Sequence, residues 1–258
     1  MNVKKRWVDR GPDPMRNVRI ICEYDGTSYH GWQVQPNGIS IQEVLEEKIG
    51  TITQEKIRLT ASGRTDAGVH AMHQVANFRT KSTIECRSLL KGINSLLPGD
   101  IVVKDLIDVD EGFHARYSVK SKTYLYKILN SPVRTALYRN YSWHVRAPLD
   151  TKAMGEAAIL LKGKHDFSSF CAAGCDSKDH VRTVIDTSVD MKGDVVSFTI
   201  EANGFLRYMV RNIVGLLVDV GRGIITPAGF EEIMGAMDRA RAGITAPPQG
   251  LFLREVRY

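Results

Sequence analysis

The chain repeats one order of secondary structure twice, and this repeat constrains its fold more than any other feature. In residues 18–112, apolar alternation and helical spacing predict the order strand, helix, strand, strand, helix, strand. Residues 113–258 predict the same order with one additional helix that opens at Thr226-Pro227. Apolar residues make up 43% of the 258 residues, which is enough to bury a core in each half.

The individual elements are predicted from local signals. In the first half, strands are predicted at 18–24, 57–61, 74–78 and 101–109, with helices after a Ser40–Glu43 capping box and at 87–97. In the second half, strands are predicted at 123–129, 181–190, 195–202 and 251–256, with helices at 150–161, at 206–220 and from Pro227. This pattern predicts an α+β fold of two ferredoxin-like (βαββαβ) halves, with the sheets side by side and a central cleft between them that could hold an active site. The halves divide near Gly112, and residues 1–17 form a charged leader that contains two prolines.

The chain carries no membrane or secretion signal that we can identify. No apolar run reaches the ~18 residues that cross a bilayer, and the N-terminus lacks the apolar stretch of a signal peptide. The four cysteines are Cys22, Cys86, Cys171 and Cys175, and their spacing is not that of a disulfide framework. We therefore expect a cytoplasmic protein that does not associate with a membrane.

Basic residues are concentrated in one segment. The whole chain has 35 Lys and Arg against 29 Asp and Glu, a net charge of only +6. Between Arg116 and Arg146 there is no acidic residue. The basic residues there are Arg116, Lys120, Lys122, Lys127, Arg134, Arg139 and Arg146, interleaved with tyrosines and Trp143. Cations and aromatic rings suit RNA phosphates and unpaired bases, but a solvated strand face above core tyrosines explains the pattern equally well.

The segment from Gly63 to Ala71 is the densest candidate for chemistry. Two glycines frame Asp66 between two predicted strands, which suits a reactive group on a rigid base. The spacing Gly63 to Gly68 resembles a phosphate loop, but the Lys and Ser/Thr that such a loop requires do not follow. Asp66, His70 and His73, with His30 and His114, could be considered as metal ligands, but their spacing does not complete a coordination shell. A carboxylate that only organises the turn remains an alternative.

Three other segments contain candidate functional residues. Tyr24 to Gln33 is a glycine-punctuated aromatic loop that suits either base stacking or ordinary core packing. Cys171 and Cys175 do not have the spacing of a zinc knuckle. Arg211 lies on an otherwise apolar predicted helix, and a buried arginine needs a carboxylate partner, for which Asp66 is a candidate.

Several motifs together resemble the TruA family of tRNA pseudouridine synthases, in order from about Val18 to Tyr258. They are Tyr24-Asp25-Gly26-Thr27-x-Tyr29-x-Gly31-Trp32-Gln33-x-Gln35, Gly63-Arg64-Thr65-Asp66-Ala67-Gly68-Val69-His70-Ala71, Phe113-x-Ala115-Arg116, Lys122-x-Tyr124-x-Tyr126, Gly163-x-His165-Asp166-Phe167, Met209-Val210-Arg211-Asn212 and Ala246-Pro247-Pro248-x-Gly250-Leu251-x-Leu253. Pro248 stands where the family usually has Ala, and residues 171–178 look individual to this chain.

The resemblance implies a homodimeric, cofactor-free and metal-free isomerase that acts on tRNA. It implies conversion of uridine to pseudouridine at positions 38 to 40 of the anticodon stem-loop. By the same resemblance, Asp66 is the nucleophile and Arg211 pairs with it. Tyr124 contacts the target base, Arg64 holds the extruded nucleotide and Leu251 packs against Tyr124. Attack of Asp66 on C6, attack on C1′ and an initial proton abstraction all remain open.

Two rival functions belong to other classes. A non-catalytic RNA-binding protein could share the same sheets and basic surface. A metal-dependent hydrolase could be built on Asp66, His70 and His73. Release of the C5 proton separates an isomerase from a binding protein, and activity that survives chelation excludes the hydrolase.

Overall fold

One continuous sheet runs through both halves of the chain. In the computed structural model, which describes residues 15–172, 174, 177 and 179–258, this sheet has ten strands. The strands are β1 (Arg16–Tyr24), β2 (Thr60–Ala61), β3 (His70–Thr80), β4 (Ile101–Val109), β5 (Ser121–Asn130), β6 (Trp143–Val145), β7 (Gly163–Asp166), β8 (Val181–Lys192), β9 (Val195–Ala202) and β10 (Leu251–Arg257). Their order is β4-β1-β3-β10-β5-β9-β8-β7, with β2 beside β3 and β6 beside β5.

Both halves use the same strand order. The first half runs β4-β1-β3-β2 across the sheet, and the second half runs β10-β5-β9-β8. Numbered within each half, both orders read 4-1-3-2, which is the arrangement of two split βαβ units. The fold class predicted from the repeated pattern is confirmed, although the two predicted sheets are joined into one.

Five α-helices accompany the described strands, and sequence signals mark where several begin. They are α1 (Ile41–Thr53), α2 (Cys86–Leu96), α3 (Thr151–Ile159), α4 (Met209–Gly221) and α5 (Pro227–Gly235). The predicted capping box of α1 is present, because Ser40 and Glu43 each bond the other's backbone N–H. Asp150 caps α3 and Thr226 caps α5, where proline follows in the first turn. Such local signals therefore define helix starts correctly.

The cores follow the alternation of the strands. In β1, Val18, Ile20, Cys22 and Tyr24 are buried while the residues between them are mostly part-exposed. In the second half, Tyr126 of β5 lies opposite Phe198 of β9, and both side chains are fully buried. Helix α4 crosses this core so deeply that every residue except Arg211 and Asp219 is buried. An arginine at such a position is costly unless it has a partner.

The two halves meet at one edge of β3, and this edge is shared. Near its start, His70 and Ala71 of β3 pair in parallel with Phe252 and Leu253 of β10. Farther along, the same strand pairs with the short β2. β10 and β2 therefore occupy different stretches of this edge and diverge from each other, and we call the space between them the fork. The loop between β2 and β3 enters the fork between the two halves. This loop contains Asp66.

Several predicted boundaries differ from the structure for identifiable reasons. The predicted strand 57–61 is only two residues long, and the predicted helix 206–220 begins at Met209 because Tyr208 adopts a left-handed backbone. Strands β6 and β7 are not predicted, since they are too short to show a period. β1 begins at Arg16, two residues before the predicted strand start at Val18 and within the predicted leader, and residues 1–14 lie outside the described residues.

Gly215 on α4 allows a close crossing that a side chain would prevent. A Cβ at this position would lie 1.9 Å from the carbonyl oxygen of Ile244, whereas one at Gly155 of α3 would meet nothing within 4 Å. We expect Gly215→Ala to lower the free energy of unfolding by about 1–3 kcal/mol, because backbone must move to make room. The matched change Gly155→Ala should raise it by about 0.5–1 kcal/mol through helix propensity. Urea denaturation of both variants measures the difference, and similar effects from the two would contradict the close crossing.

Candidate active site

The loop that carries Asp66 is fixed at its start by bonds to β3. The backbone N–H of Ser62 donates to the carbonyl of Val75 at 2.8 Å, and the Ser62 hydroxyl donates to the Gln74 amide oxygen at 2.7 Å. The Gln74 amide in turn donates to the carbonyl of Gly63 at 3.0 Å. These groups are buried or half-buried, so their hydrogen bonds fix the direction in which the loop leaves the sheet.

The glycine-punctuated loop after β1 supports the Asp66 loop from the other side. The N–H of Trp32 donates to the Thr65 carbonyl at 3.0 Å, and the N–H of Gly68 donates to the Tyr29 carbonyl at 3.3 Å. Gly31 has a φ of +85°, and a Cβ there would lie 2.6 Å from the Thr65 carbonyl oxygen. Only glycine permits both this conformation and this approach. The Tyr24 to Gln33 motif therefore packs against the Asp66 loop and supports it.

Asp66 forms an ion pair with Arg211 across the two halves. Nη1 of Arg211 donates to Oδ2 of Asp66 at 3.1 Å, and their side chains are only 12% and 28% exposed. Nε of Arg211 donates to the carbonyl of Ala246 at 2.8 Å, and the N–H of Ala246 donates back to the Arg211 carbonyl at 3.0 Å. The guanidinium is therefore held at two points, and the partner predicted for it from the sequence is present.

The pKa of Asp66 reflects two opposing effects. Burial raises the pKa of this carboxyl above its ordinary value, because the charged form loses hydration. The charge and hydrogen bond of Arg211 lower it, as does the charge of Arg207. Burial is the larger effect, so the net pKa is raised even with Arg211 in place. A carboxylate that is desolvated but still paired is a common feature of reactive sites.

Tyr124 and Leu251 lie on the same face of the sheet beside Asp66. Tyr124 of β5 faces Leu253 of β10, and Leu251 faces Tyr126, so Leu251 is the diagonal neighbour of Tyr124. Both side chains line the cleft that contains Asp66. The ring of Tyr124 meets Phe205 edge-on at a centroid distance of 4.9 Å. Burial and the nearby charge of Asp66 raise the pKa of Tyr124, so its hydroxyl stays protonated at neutral pH.

Arg64 also lines the cleft, but its side chain is exposed. It belongs to the same loop as Asp66, two residues earlier. In contrast to Arg211, it has no hydrogen bond or ion pair with any residue in the described ranges. A cation without a protein partner at the mouth of a cleft is available to a ligand.

The cleft itself is large and cationic. It encloses about 990 Å³ at the fork between the two halves. Its basic lining residues are Arg58, Arg64, Arg116, Lys122, Arg182, Arg207 and Arg211. Of the described residues that line it, Asp66 is the one carboxylate. A cationic cleft with a single half-buried carboxylate is typical of an enzyme that acts on a polyanion.

Lys122 connects the second half to the Asp66 loop. It extends from β5, and its ammonium group donates to the carbonyl of Ser62. Burial, together with the charge of Arg116, lowers its pKa from 10.5 to about 8. The sequence motif contains Lys122 but indicates no role for it. The structure shows that it links β5 of the second half to the start of the Asp66 loop in the first half.

Several lining residues were missed by the sequence analysis. Arg58 and Arg182 are isolated in the sequence, so only the fold brings them to the cleft. Tyr208 gives a clearer signal, since it stands between Arg207 and the Met209-Val210-Arg211-Asn212 motif. A tyrosine immediately before a helix start, flanked by arginines, could have been recognised.

The basic segment from Arg116 to Arg146 is divided by the fold. Arg116 and Lys122 line the cleft, and Lys127 lies over the ring of Phe252 at 4.9 Å. Lys120, Arg134, Arg139 and Arg146 are exposed outside the cleft lining. The segment is therefore neither wholly a ligand surface nor wholly a solvated face.

The histidines considered as metal ligands have other contacts. His70 is buried; its Nδ1 accepts the N–H of Gly26 at 3.1 Å, and its Nε2 lies 2.8 Å from the carbonyl oxygen of Asn140. Both ring nitrogens are thus already engaged. In the described part of the chain, no group of three His, Cys, Asp or Glu side chains could hold a metal ion. Cys171 is buried, and Cys175 lies outside the described residues.

The family model and the relatives that match this chain indicate one family. The sequence model of the family described as tRNA pseudouridine synthase matches residues 20–118 and 157–258. A protein named tRNA pseudouridine synthase A from Thermoanaerobacter sp. (strain X514) is 49% identical over 244 residues, which is 95% of this chain and 100% of that protein. Proteins from Geotalea uraniireducens (strain Rf4) and Clostridium perfringens (strain 13 / Type A), named tRNA pseudouridine synthase A and tRNA pseudouridine synthase A 2, are each 46% identical over the same shares.

These matches make the chain an isomerase that modifies RNA. It belongs to the family of tRNA pseudouridine synthases, which convert uridine to pseudouridine in tRNA. The resemblance identified from the sequence motifs is therefore confirmed. None of the helices in the described ranges is both long and apolar enough to cross a membrane.

The depressed pKa of Lys122 predicts a specific dependence of stability on pH. Between about 8 and 10.5, the unfolded chain carries a proton on Lys122 that the folded chain lacks. The free energy of unfolding should therefore rise with pH across this window, by about 2–3 kcal/mol from this group. Lys122→Met should lack this increment. Urea denaturation of both proteins at pH 7.5 and pH 10 measures it, and parallel changes in the two would contradict the burial of the charge.

Proposed function

We propose that this enzyme isomerises uridines at positions 38 to 40 of the tRNA anticodon stem-loop, with Asp66 as the nucleophile. The observation that carries the proposal is the placement of Asp66. It is the one carboxylate among the described cleft residues, and Arg211 holds it from the opposite half. The stem-loop positions come from the motif resemblance, and mapping pseudouridine in tRNA from cells that lack the protein tests them.

The reaction needs one nucleophile and a closed pocket, and no oxidant, reductant or second substrate. The bond between N1 of uracil and C1′ of ribose breaks, and a bond between C5 and C1′ forms. C5 loses its proton and N1 gains one, so the atoms balance. A carboxylate that attacks C6 would keep the base bound to the enzyme while it turns, and one that attacks C1′ would keep the sugar bound. If the carboxylate instead first abstracts a proton, the pocket alone has to retain the base. Arg211 supports this role because it favours the ionised form of Asp66.

The target nucleotide has to leave the stem before Asp66 can reach it. Asp66 lies in a cleft between the halves, and a base that is stacked and paired is out of its reach. Extrusion of a nucleotide costs a few kcal/mol, which contacts with the RNA backbone elsewhere must offset. The other cations of the cleft lining, among them Arg58 and Arg182, are suited to that purpose.

Other cleft residues take the roles that their positions favour. Arg64 is exposed and has no described partner, which suits contact with a phosphate of the extruded nucleotide. Tyr124 offers a ring beside Asp66, and Leu251 supports that ring from β10. In this arrangement the extruded uracil would lie between Tyr124 and Asp66. Arg211 acts on the carboxylate and not on the base.

We further propose a homodimer in which each tRNA crosses both subunits, as the motif resemblance implies. Val133, Leu137 and Tyr138 are exposed apolar side chains in the connection between β5 and β6. Exposed apolar side chains that lie close together in the sequence are suited to contact with a partner. Sedimentation equilibrium of the full chain, with and without tRNA, measures the oligomeric state.

Asp66→Asn should abolish turnover while tRNA binding persists. The carboxylate performs the chemistry, whereas affinity comes mainly from phosphate contacts. We expect release of tritium from tRNA containing 5-tritiated uridine to fall by about 10³-fold or more, with the tRNA Kd within a few-fold of wild type. The exposed carboxylate Asp190 on β8 gives the matched control, since Asp190→Asn should leave both quantities unchanged. Comparable turnover in Asp66→Asn would refute the nucleophile assignment.

The cationic lining predicts a steep dependence of tRNA affinity on salt. For roughly five contacted phosphates, log Kd against log salt should have a slope of about 3 to 4 in magnitude. Arg58→Gln and Arg182→Gln, within the cleft, should each weaken binding and reduce that slope by up to about one unit. Turnover at saturating tRNA should be largely kept.

The same measurement decides how far the RNA extends beyond the cleft. We expect charge-removing changes at Lys120, Arg134 and Arg139 to weaken binding in the same manner, because the path continues over the basic segment. If these three leave affinity and slope unchanged while the cleft variants reduce both, the outer part of the segment is a solvated face.

A further inference from the structure

Tyr208 has a backbone conformation that a tyrosine rarely adopts. Its φ of +64° lies in the left-handed region, at the N-cap position of α4. The N-caps of α1 and α5, Ser40 and Thr226, have the extended backbone that is usual there. Gln54 is also left-handed, but it ends α1, where this conformation is common. A bulky residue in this region is strained, and such strain is concentrated at functional sites.

The flanking residues explain what maintains the strain. Leu206 and Met209 on either side are buried in the core, and the N–H of Met209 donates to the Leu206 carbonyl at 3.1 Å. The N–H of Asn212 donates to the Tyr208 carbonyl at 2.9 Å, which begins the helix. With Leu206 and Met209 in the core, the left-handed turn leaves the Tyr208 side chain at the cleft, where it is half-buried.

The ring of Tyr208 lies against two guanidinium groups. The Cζ atoms of Arg207 and Arg211 are 5.0 Å and 4.7 Å from its centroid. Arg211 is the residue that pairs with Asp66 and with the Ala246 carbonyl. The ring therefore supplies a third contact to a guanidinium that is already held at two points. Every contact described for the Tyr208 side chain is made by the ring and not by the hydroxyl.

A third contact matters because the cleft binds a polyanion. RNA phosphates that enter a cleft lined by seven cations compete with Asp66 for Arg211. A ring stacked on the guanidinium favours one orientation of it and covers one of its faces. Arg211 would then keep its bond to Asp66 while the substrate is bound.

We propose that Tyr208 is a positioning residue, whose strained backbone places its ring against Arg211 and so holds Arg211 on Asp66 when RNA fills the cleft. This inference rests on the proposed role of Asp66 as the reactive carboxylate. It assigns Tyr208 no direct part in the chemistry. Two other roles of Tyr208 make different predictions. If its ring stacks on an RNA base, its loss would weaken the affinity for tRNA. If Tyr208 only shapes the turn before α4, its replacement would change the stability of the protein alone.

The test compares variants that separate the ring from the strain. Tyr208→Phe keeps the ring. Tyr208→Asn removes the ring but tolerates a left-handed backbone, and Tyr208→Gly removes both ring and strain. The control is Gln54→Gly, a left-handed position that does not line the cleft. The measurements are the single-turnover rate at saturating tRNA, the tRNA Kd, the Tm, and the rate from pH 5 to 9.

We expect Tyr208→Asn and Tyr208→Gly to lower the single-turnover rate by about tenfold, with Kd within threefold and Tm unchanged or higher. Tyr208→Phe should recover most of the lost rate, and Gln54→Gly should have the wild-type rate. The acid limb of the rate should also move to higher pH in the variants that lack the ring. The charged or titratable groups that face Asp66 are Arg211 and Arg207 from the α4 region and Tyr124 from β5. A loosened Arg211 would oppose protonation of Asp66 less effectively.

Three results would overturn the proposal. A weaker Kd with an unchanged saturated rate would make Tyr208 a stacking platform, and a lower Tm with an unchanged rate and pH profile would make it only a turn. If Tyr208→Phe does not restore the rate, the hydroxyl of Tyr208 and not its ring is responsible for the effect. Asp66→Asn in the same assay separates this inference from the proposed function. If Asp66→Asn is inactive and Tyr208→Asn matches wild type, only the role of Tyr208 fails.

Discussion

The shared edge of β3 is the constraint on which the rest of the site depends. β10 occupies this edge at His70 and Ala71, and β2 occupies it farther along. Because one edge cannot accept two strands at the same place, the two halves diverge between these pairings and leave a fork. The fork admits the Asp66 loop from one half and the start of α4 from the other. The cleft is therefore a result of the way in which the two sheets join at this edge.

The electrostatics of the site follow from that geometry. Burial at the fork makes ionisation of Asp66 more costly, and Arg211 offsets part of that cost through a 3.1 Å contact. Breaking such a pair leaves a buried charge without a partner, which is far more costly than the loss of a surface salt bridge. The pair is therefore held by backbone on both sides, through the Ala246 carbonyl for Arg211 and the loop hydrogen bonds for Asp66.

The remaining charges of the cleft act on a different scale. Most of its cations are more exposed to solvent than Arg211. They attract the RNA backbone with little regard to sequence, and their effect decreases with salt. In the proposed function, discrimination of the target arises from what fits between Tyr124 and Asp66. The division between a cationic entrance and one paired carboxylate inside explains how a mildly basic protein can act on a strongly anionic substrate.

The sequence by itself determined the parts of this protein that depend on neighbouring residues. Alternation in β1 and β9, the Ser40–Glu43 capping box and the Asp66 and Arg211 motifs are all local patterns. The order of the longer elements, the fold class and the two partners of the ion pair could therefore be predicted. The tertiary structure alone decided the fusion of the sheets, the arrival of Arg58 and Arg182 at the cleft, and the left-handed backbone of Tyr208. These features depend on contacts between residues far apart in the chain, and no local periodicity or propensity records such contacts.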